Sequence, residues 1–370
     1  MAQSGTEPDG HPRYRIKFDA TSTARTVSEG QGYGMIIVAL MAGYDPGAQT
    51  ILDGLWEFSK DHRSENDPRL MDWSVPADEQ PDPAGENGSA FDGDADIALA
   101  LLLAERQWGN GGRFNYPTEA AAVMEGILQS TIGPQSSLPM LGDWVNPDDA
   151  EYNQYTPRSS DFMPRHFRVF GRATGYATWS QAVVAVQAAV TSAQADYSSA
   201  TGLLPDFFEP VSASDHRLRP ASAGFLEGPN DGYLYYNAVR DPWRLGTDAL
   251  LGNDVVSRQQ TQRIALWAYS AAGGNPANLR AGYRLDGAVI PSADYFTSIA
   301  AATFAVAAMT DPSLQQWLND LYDAVRTSNE GYYEDTVTLL CLILLTGNYW
   351  DPTAIAAGRA LFLPLIVRSV

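Results

Sequence analysis

The chain has almost no lysine, one cysteine and no apolar run of membrane-spanning length. Lys17 and Lys60 are the only lysines, and the rest of the basic charge is arginine. With a net charge of −20 and a pI near 4.4, the basic patches that grip phosphate backbones are missing, so no nucleic-acid partner is expected. The acidity fits three readings: solubility, attraction of a polycationic substrate, or adaptation to salt. The lone Cys341 sits in the apolar stretch Leu339 to Leu345, which excludes an internal disulfide and reads as a core thiol. No membrane segment is expected. Met1 to Gly10 is polar and lacks the apolar core of a signal peptide. That leaves either a cytoplasmic protein or one whose leader is not part of this sequence; extracellular, with the periplasm as alternative, is the expectation adopted.

What the chain does have is length and aromatic surface. Its 370 residues are 45% hydrophobic, enough for a large core, and 11% aromatic, with nine Trp and eighteen Tyr. Apolar positions recur at helical spacing near 32–44, 47–61, 93–107, 117–132, 160–174, 177–195, 240–252, 256–272, 294–309, 312–327 and 335–346, with a last short helix near 352–361. Strands are expected only as short hairpins in loops. The fold class is therefore all-α, with paired helices in a closed ring or an open solenoid. No linker cuts the chain, so residues 1–370 are read as one domain.

Chemistry concentrates in a few stretches. Thr26-Val27-Ser28-Glu29-Gly30-Gln31-Gly32-Tyr33-Gly34-Met35 runs from a polar segment into a helix. Ser28 and Gln31 have capping-box spacing, which puts Glu29 on the first turn. The glycines leave Glu29 unshielded and let another molecule approach. A rigid, uncovered carboxyl suits a general acid, provided burial or a second carboxylate keeps it protonated against the helix dipole. The alternative is an ordinary acidic first turn. Trp73 and Trp144 stand in loops and read as sugar-stacking platforms. Asp92, Asp94 and Asp96 suggest half of a calcium loop, but Ile97 occupies the position that needs glycine, so no metal is expected and helix capping by Asp92 or Asp94 is preferred. Ser159 or Ser160 reads as another cap. Glu227 precedes Gly228-Pro229, a turn that would orient its carboxylate.

The Thr26–Met35 stretch resembles the opening signature of family 8 glycoside hydrolases. The resemblance implies an (α/α)6 barrel and gives Glu29 the role of proton donor. It continues through Ala90-Phe91-Asp92-Gly93-Asp94-Ala95-Asp96-Ile97, where it places Asp92 in the active site, although the family usually has Ser or Thr at Phe91. Arg158-Ser159-Ser160-Asp161-Phe162-Met163 is similar to the chitosanase and lichenase branch, with Asp161 a candidate substrate contact. In Tyr236-Asn237-Ala238-Val239-Arg240-Asp241-Pro242-Trp243-Arg244 the family's usual base is an Asp where this chain has Asn237, which cannot accept a proton at neutral pH. The branch with this Asn uses a loop Glu in a Phe-Leu-Glu setting, which maps to Glu227. Tyr236 and Arg240 match residues that hold the attacking water or the base, and Trp243 is carried over with Tyr236, Asn237 and Arg240 as substrate-binding. Asp231 and Asp161 are the fallback bases. Tyr332 to Asp335 also resembles the family, but is read with the C-terminal scaffold.

The expectation is an endo-acting, inverting hydrolase of β-1,4-bonds in cellulose-type or mixed-linkage glucan, cofactor-free and monomeric, with the polysaccharide as its partner. A chitosanase with the same pair is the alternative, its cleft lined by Asp92, Asp161, Asp215 and Asp231. A non-catalytic carbohydrate-binding barrel and a periplasmic partner of polysaccharide synthesis are the other readings.

Overall fold

A computed structural model describes residues 1–82 and 84–354. Its helices are α1 (Ser28–Leu40), α2 (Ala48–Asp61), α3 (Phe91–Trp108), α4 (Tyr116–Ser130), α5 (Pro164–Thr174), α6 (Thr178–Asp196), α7 (Asp241–Leu251), α8 (Val255–Ala272), α9 (Ser298–Ala308), α10 (Gln315–Val325) and α11 (Tyr332–Leu345). Each expected helix down to 335–346 has its counterpart here. The one expected near 352–361 lies, from residue 355 on, outside the described residues. Strands occur as three antiparallel pairs: β1 (Ala2–Thr6) with β2 (Pro12–Arg15), β3 (Thr26–Val27) with β4 (Ser74–Val75), and β5 (Phe208–Ser212) with β6 (Asp215–Pro220).

The odd-numbered helices pack in the order α1, α3, α5, α7, α9, α11 and back to α1, which closes an inner ring. Among the described residues α1, α3, α5, α7 and α9 are each followed by an outer partner packed against it, from α2 on α1 to α10 on α9. This is an (α/α)6 barrel. Burial follows the layers. All of α9 and the first fourteen residues of α3 are buried, because an inner helix meets neighbours on every side. The outer helix α10 buries only Trp317, Leu321 and Val325, a single stripe at four-residue spacing. One large apolar cluster runs through the barrel from Tyr33 to Tyr349 and includes Cys341.

Close approach of α1 and α3 explains the glycines of the first motif, which the sequence reading gave to an approaching molecule. A Cβ on Gly32 would stand 2.9 Å from the Gly93 carbonyl oxygen, and one on Gly93 would stand 2.2 Å from Ser28 Oγ. A Cβ on Gly30 would meet the Tyr332 hydroxyl at 2.0 Å. The glycines admit neighbouring parts of the barrel. Nor is there a capping box: Val27 is the N-cap of α1, without a side-chain bond. Gln31 instead accepts from Ile16 N (3.0 Å) and donates to the Leu55 carbonyl (2.8 Å). Asp92, Asp94, Ser159 and Ser160 do not cap either. Ala90 and Met163 are the N-caps of α3 and α5, and Ser159–Asp161 form a separate 3-10 turn.

Gly93→Ala is expected to destabilise the protein by about 1–3 kcal/mol, the usual cost of overpacking a tight interface, measured by chemical denaturation. Gly111→Ala, where a Cβ meets nothing within 4 Å, is the control and should stay near wild type.

Candidate active site

All six inner helices start without a side-chain bond from their own N-cap residue. The N-terminal ends of α1, α3, α7 and α11 converge, since Glu29, Asp92, Arg240 and Tyr333 meet there. The aligned dipoles favour negative charge at this end. Arg240 is the hub. Its Nη1 donates to Glu29 Oε2 (2.6 Å), Asp92 Oδ2 (2.8 Å) and Tyr33 Oη (3.0 Å). Its Nη2 donates to Ser160 Oγ (2.8 Å) and Asn237 Oδ1 (3.0 Å).

That last bond orients the Asn237 amide, because Oδ1 must face Arg240. Nδ2 then points away and donates to Glu227 Oε2 at 2.9 Å. An unbroken path thus runs Glu29, Arg240, Asn237, Glu227. An aspartate at 237 could accept from Arg240 but, ionised, could donate nothing to Glu227 and would repel it. Asn237 and a loop glutamate are therefore a matched pair.

The two glutamates differ in setting. Glu29 is 19% exposed, closed in by the barrel with a narrow opening to the cleft. Burial pushes its carboxyl up to about 7; Arg240 pulls against this and Asp92 adds to it. With Oε2 engaged by Arg240, Oε1 is left to carry the proton. Glu227 is 49% exposed, on a loop whose turn is held by the buried Asp231, which accepts from the backbone N–H of Leu226, Glu227 and Gly228 at 2.8, 3.1 and 2.9 Å. Burial alone would raise Asp92, but the guanidiniums of Arg240 and Arg158 hold it below the usual carboxylate range. Glu29 and Asp92, sharing one guanidinium, are thus shifted in opposite directions.

The cleft has two lobes. One, of about 520 Å3, is lined by Glu29, Asp92, Tyr236, Asn237, Tyr332 and Tyr333, with Phe18 and Glu334 at its rim. The other, of about 600 Å3, is lined by Glu65, Asn66, Glu86, Asn87, Trp144 and Tyr152. Trp73, Ala90, Arg158 and Glu227 belong to both. Trp73 is pinned beside the start of α1, its carbonyl accepting from Ser28 N at 2.9 Å. Trp144 is exposed and meets Tyr152 edge-on, and Tyr152 in turn meets Phe225 of the Glu227 loop.

Three expected substrate contacts are corrected. Trp243 is fully buried on α7, edge-on to Tyr33, with the Arg244 guanidinium 4.0 Å over its ring. Asp161 is 0% exposed and lines neither lobe. Neither presents a surface to a sugar. Arg240, 1% exposed, acts through Glu29, Asp92 and Asn237 rather than by touching substrate. Of the four carboxylates expected to line a chitosan-binding cleft, Asp92 alone does so; Asp215 pairs with Arg217 on the β5–β6 hairpin. The three aspartates of α3 diverge, Asp94 accepting from Met71 N (2.8 Å) and Asp96 bound by Arg244 and His166. Sequence reasoning missed Arg158, Tyr332, Tyr333 and Glu334. The two tyrosines, placed with the scaffold, were signalled only by their family-like setting.

Residues 1–347 match the family described as Glycosyl hydrolases family 8. A β-glucanase of Niallia circulans is 41% identical over 92% of this chain and 81% of its own length. An endoglucanase of Bacillus sp. strain KSM-330 is 38% identical over 88% of this chain and 67% of its own. The solved apo structure of a β-1,3-1,4-glucanase from Paenibacillus sp. X4 superposes with a TM-score of 0.86 at 40% identity, covering 92% of this chain and 87% of that one.

Glu29→Gln should lower turnover by at least about 100-fold, the lower end of what general acid catalysis contributes, while leaving the circular dichroism spectrum and oligosaccharide binding unchanged. In the wild type, kcat/KM should fall as pH rises through about 7, because the carboxyl raised by burial loses its proton there; a pH–rate series checks this.

Proposed function

The chain belongs to glycosyl hydrolase family 8, and from its glycoside hydrolase character we propose an endo-acting β-glucanase that cleaves β-1,4-bonds of cellulose-type or mixed-linkage glucan with inversion. The observation that carries the reading is the Glu29–Arg240–Asn237–Glu227 path. It gives two carboxyls opposed proton duties, which is the requirement of inverting hydrolysis.

Glu29, whose carboxyl is raised to about 7 so that a share of it stays protonated at neutral pH, delivers its proton to the glycosidic oxygen as the bond to the anomeric carbon breaks. Glu227 takes a proton from a water that attacks that carbon from the other face, so the product has inverted configuration. The proton states are then exchanged: Glu29 is ionised and Glu227 protonated. Both reset through solvent, to which Glu227 is half open. Asp92, kept anionic by its two arginines, is suited to accept a hydrogen bond from a sugar hydroxyl near the cleavage point. Trp73 and Trp144 offer ring faces to neighbouring glucose units. A groove open through both lobes suits internal cleavage of a polymer. The names of the relatives at about 40% identity support β-glucan as the substrate class. The protein is proposed to work outside the cytoplasm as a single-domain monomer without a cofactor.

Reducing-sugar release from barley β-glucan, lichenan, carboxymethylcellulose, xylan and chitosan tests the substrate. The expected result is a preference for β-glucan that persists in salt. A preference for chitosan that collapses as salt screens the charges would replace the reading. Glu227→Ala should inactivate, with azide or formate partly restoring turnover by replacing the missing base. Asn237→Ala should be milder, and the reverse ranking would move the base elsewhere.

A further inference from the structure

Arg158 stands where the two lobes join, and beyond its charge on Asp92 it has no part in the hydrolytic scheme above. Its backbone is pinned from both sides: Ser159 N donates to the Asp206 carbonyl (3.1 Å), and Phe208 N donates to the Pro157 carbonyl (3.0 Å). Its guanidinium lies 5.4 Å from the centroid of the Phe207 ring, and the side chain is only 13% exposed. Nη1 is 3.7 Å from Asp92 Oδ2 and Nη2 is 3.6 Å from Glu227 Oε1. Both separations are beyond hydrogen-bond length. Among the described residues Arg158 donates no side-chain hydrogen bond, and its buried Nε has no partner. A guanidinium carries five donors in a fixed fork. Here the fork is rigidly mounted, faces two carboxylates across gaps, and is bordered by the cleft.

A sugar hydroxyl closes such a gap on both sides, accepting from the guanidinium and donating to the carboxylate. We propose that Arg158 is a further substrate-binding residue that grips sugar hydroxyls at the junction of the lobes and, by its charge, selects neutral over cationic glycans. This rests on the β-glucanase reading for the identity of the neutral polymer. It also resolves a conflict in the electrostatics. A net charge of −20, with Glu65, Glu86 and Glu334 on the cleft walls, attracts a polycation from a distance. That attraction is screened by salt. A fixed cation at the junction offsets the Asp92 and Glu227 carboxylates 3.7 and 3.6 Å away and so weakens their pull on an ammonium group at contact range, where salt screens far less. A polyamine glycan is thus drawn to the surface but disfavoured where bonds break.

The test compares wild type, Arg158→Gln and Arg158→Lys. It measures kcat and KM on barley β-glucan and on soluble chitosan, and cellohexaose binding by calorimetry with each Arg158 state placed in the Glu29→Gln background. Arg158→Gln should weaken cellohexaose binding and β-glucan kcat/KM by roughly tenfold to a hundredfold, the worth of a hydrogen bond from a charged donor. It should raise the chitosan to β-glucan ratio of kcat/KM by about tenfold. Arg158→Lys keeps the charge and loses the fork. Its ratio should stay at the wild-type value while its β-glucan kcat/KM remains low, a split that general destabilisation does not produce. If Arg158→Gln does not fold, the Lys variant still decides. Cellohexaose affinity and β-glucan kcat/KM within about twofold of wild type in either variant would overturn the proposal. Should wild type cleave neither polymer, the β-glucanase reading fails, while the calorimetric comparison still decides the role of Arg158.

Discussion

A guanidinium buried inside a protein is tolerated only when its donors are met and its charge is balanced. Arg240 fulfils both conditions by drawing together groups from α1, α3, the turn before α5 and the loop before α7. The active end of the barrel depends on that convergence. Remove Arg240, and Glu29 and Asp92 lose the guanidinium that bonds them both, while Asn237 loses the bond that orients its amide toward Glu227. The same residue therefore sets the position of Glu29, the ionisation of its neighbour and the aim of the group that holds Glu227.

Environment, not residue type, assigns the acids their roles. Asp92, Asp94 and Asp96 lie within five residues of one helix. Burial drives Asp94 well above its ordinary range, although the Met71 N–H, Arg63 and the Ser89 hydroxyl oppose it. Burial also penalises Asp96, but Arg244 and His166 overcome it and hold the carboxyl down to about 2. The Asp96–Arg244 pair, with Trp243 stacked beneath Arg244, is a second ionic layer under the first, and it fixes Tyr33 and α7 below the hub.

The Glu227 side of the cleft is built differently. Glu227 sits on a loop, and a loop holds a carboxylate in place only if its own backbone is anchored. Two buried aspartates supply the anchors. Asp231 gathers three successive N–H groups around Glu227, and Asp206 accepts from Tyr235 N and Ala238 N on either side of Asn237. Asp231, a fallback base in the sequence reading, thus works as scaffolding. Arg158, whose neighbour Ser159 donates its N–H to the Asp206 carbonyl, shares this rigid mounting.

The sequence by itself determined the helices, because a 3.6-residue apolar period is a local property that each segment carries alone. Their spacing allowed both a closed ring and an open solenoid; family resemblance pointed to the ring, and to Glu29, Asp92, Asn237 and Glu227. It did not reveal which residues face the cleft. Trp243 and Asp161 lie in the same motifs as true cleft residues, yet inner helices cover them; Arg158, Tyr332 and Tyr333 look like ordinary caps and scaffold, yet closure of the ring brings them beside Glu29. Exposure is set by neighbours, and in a closed barrel those neighbours come from the far end of the chain: Tyr332 packs over Gly30 across some three hundred residues. Only the tertiary structure decides that, because it depends on which helix ends meet, and no local pattern encodes the meeting.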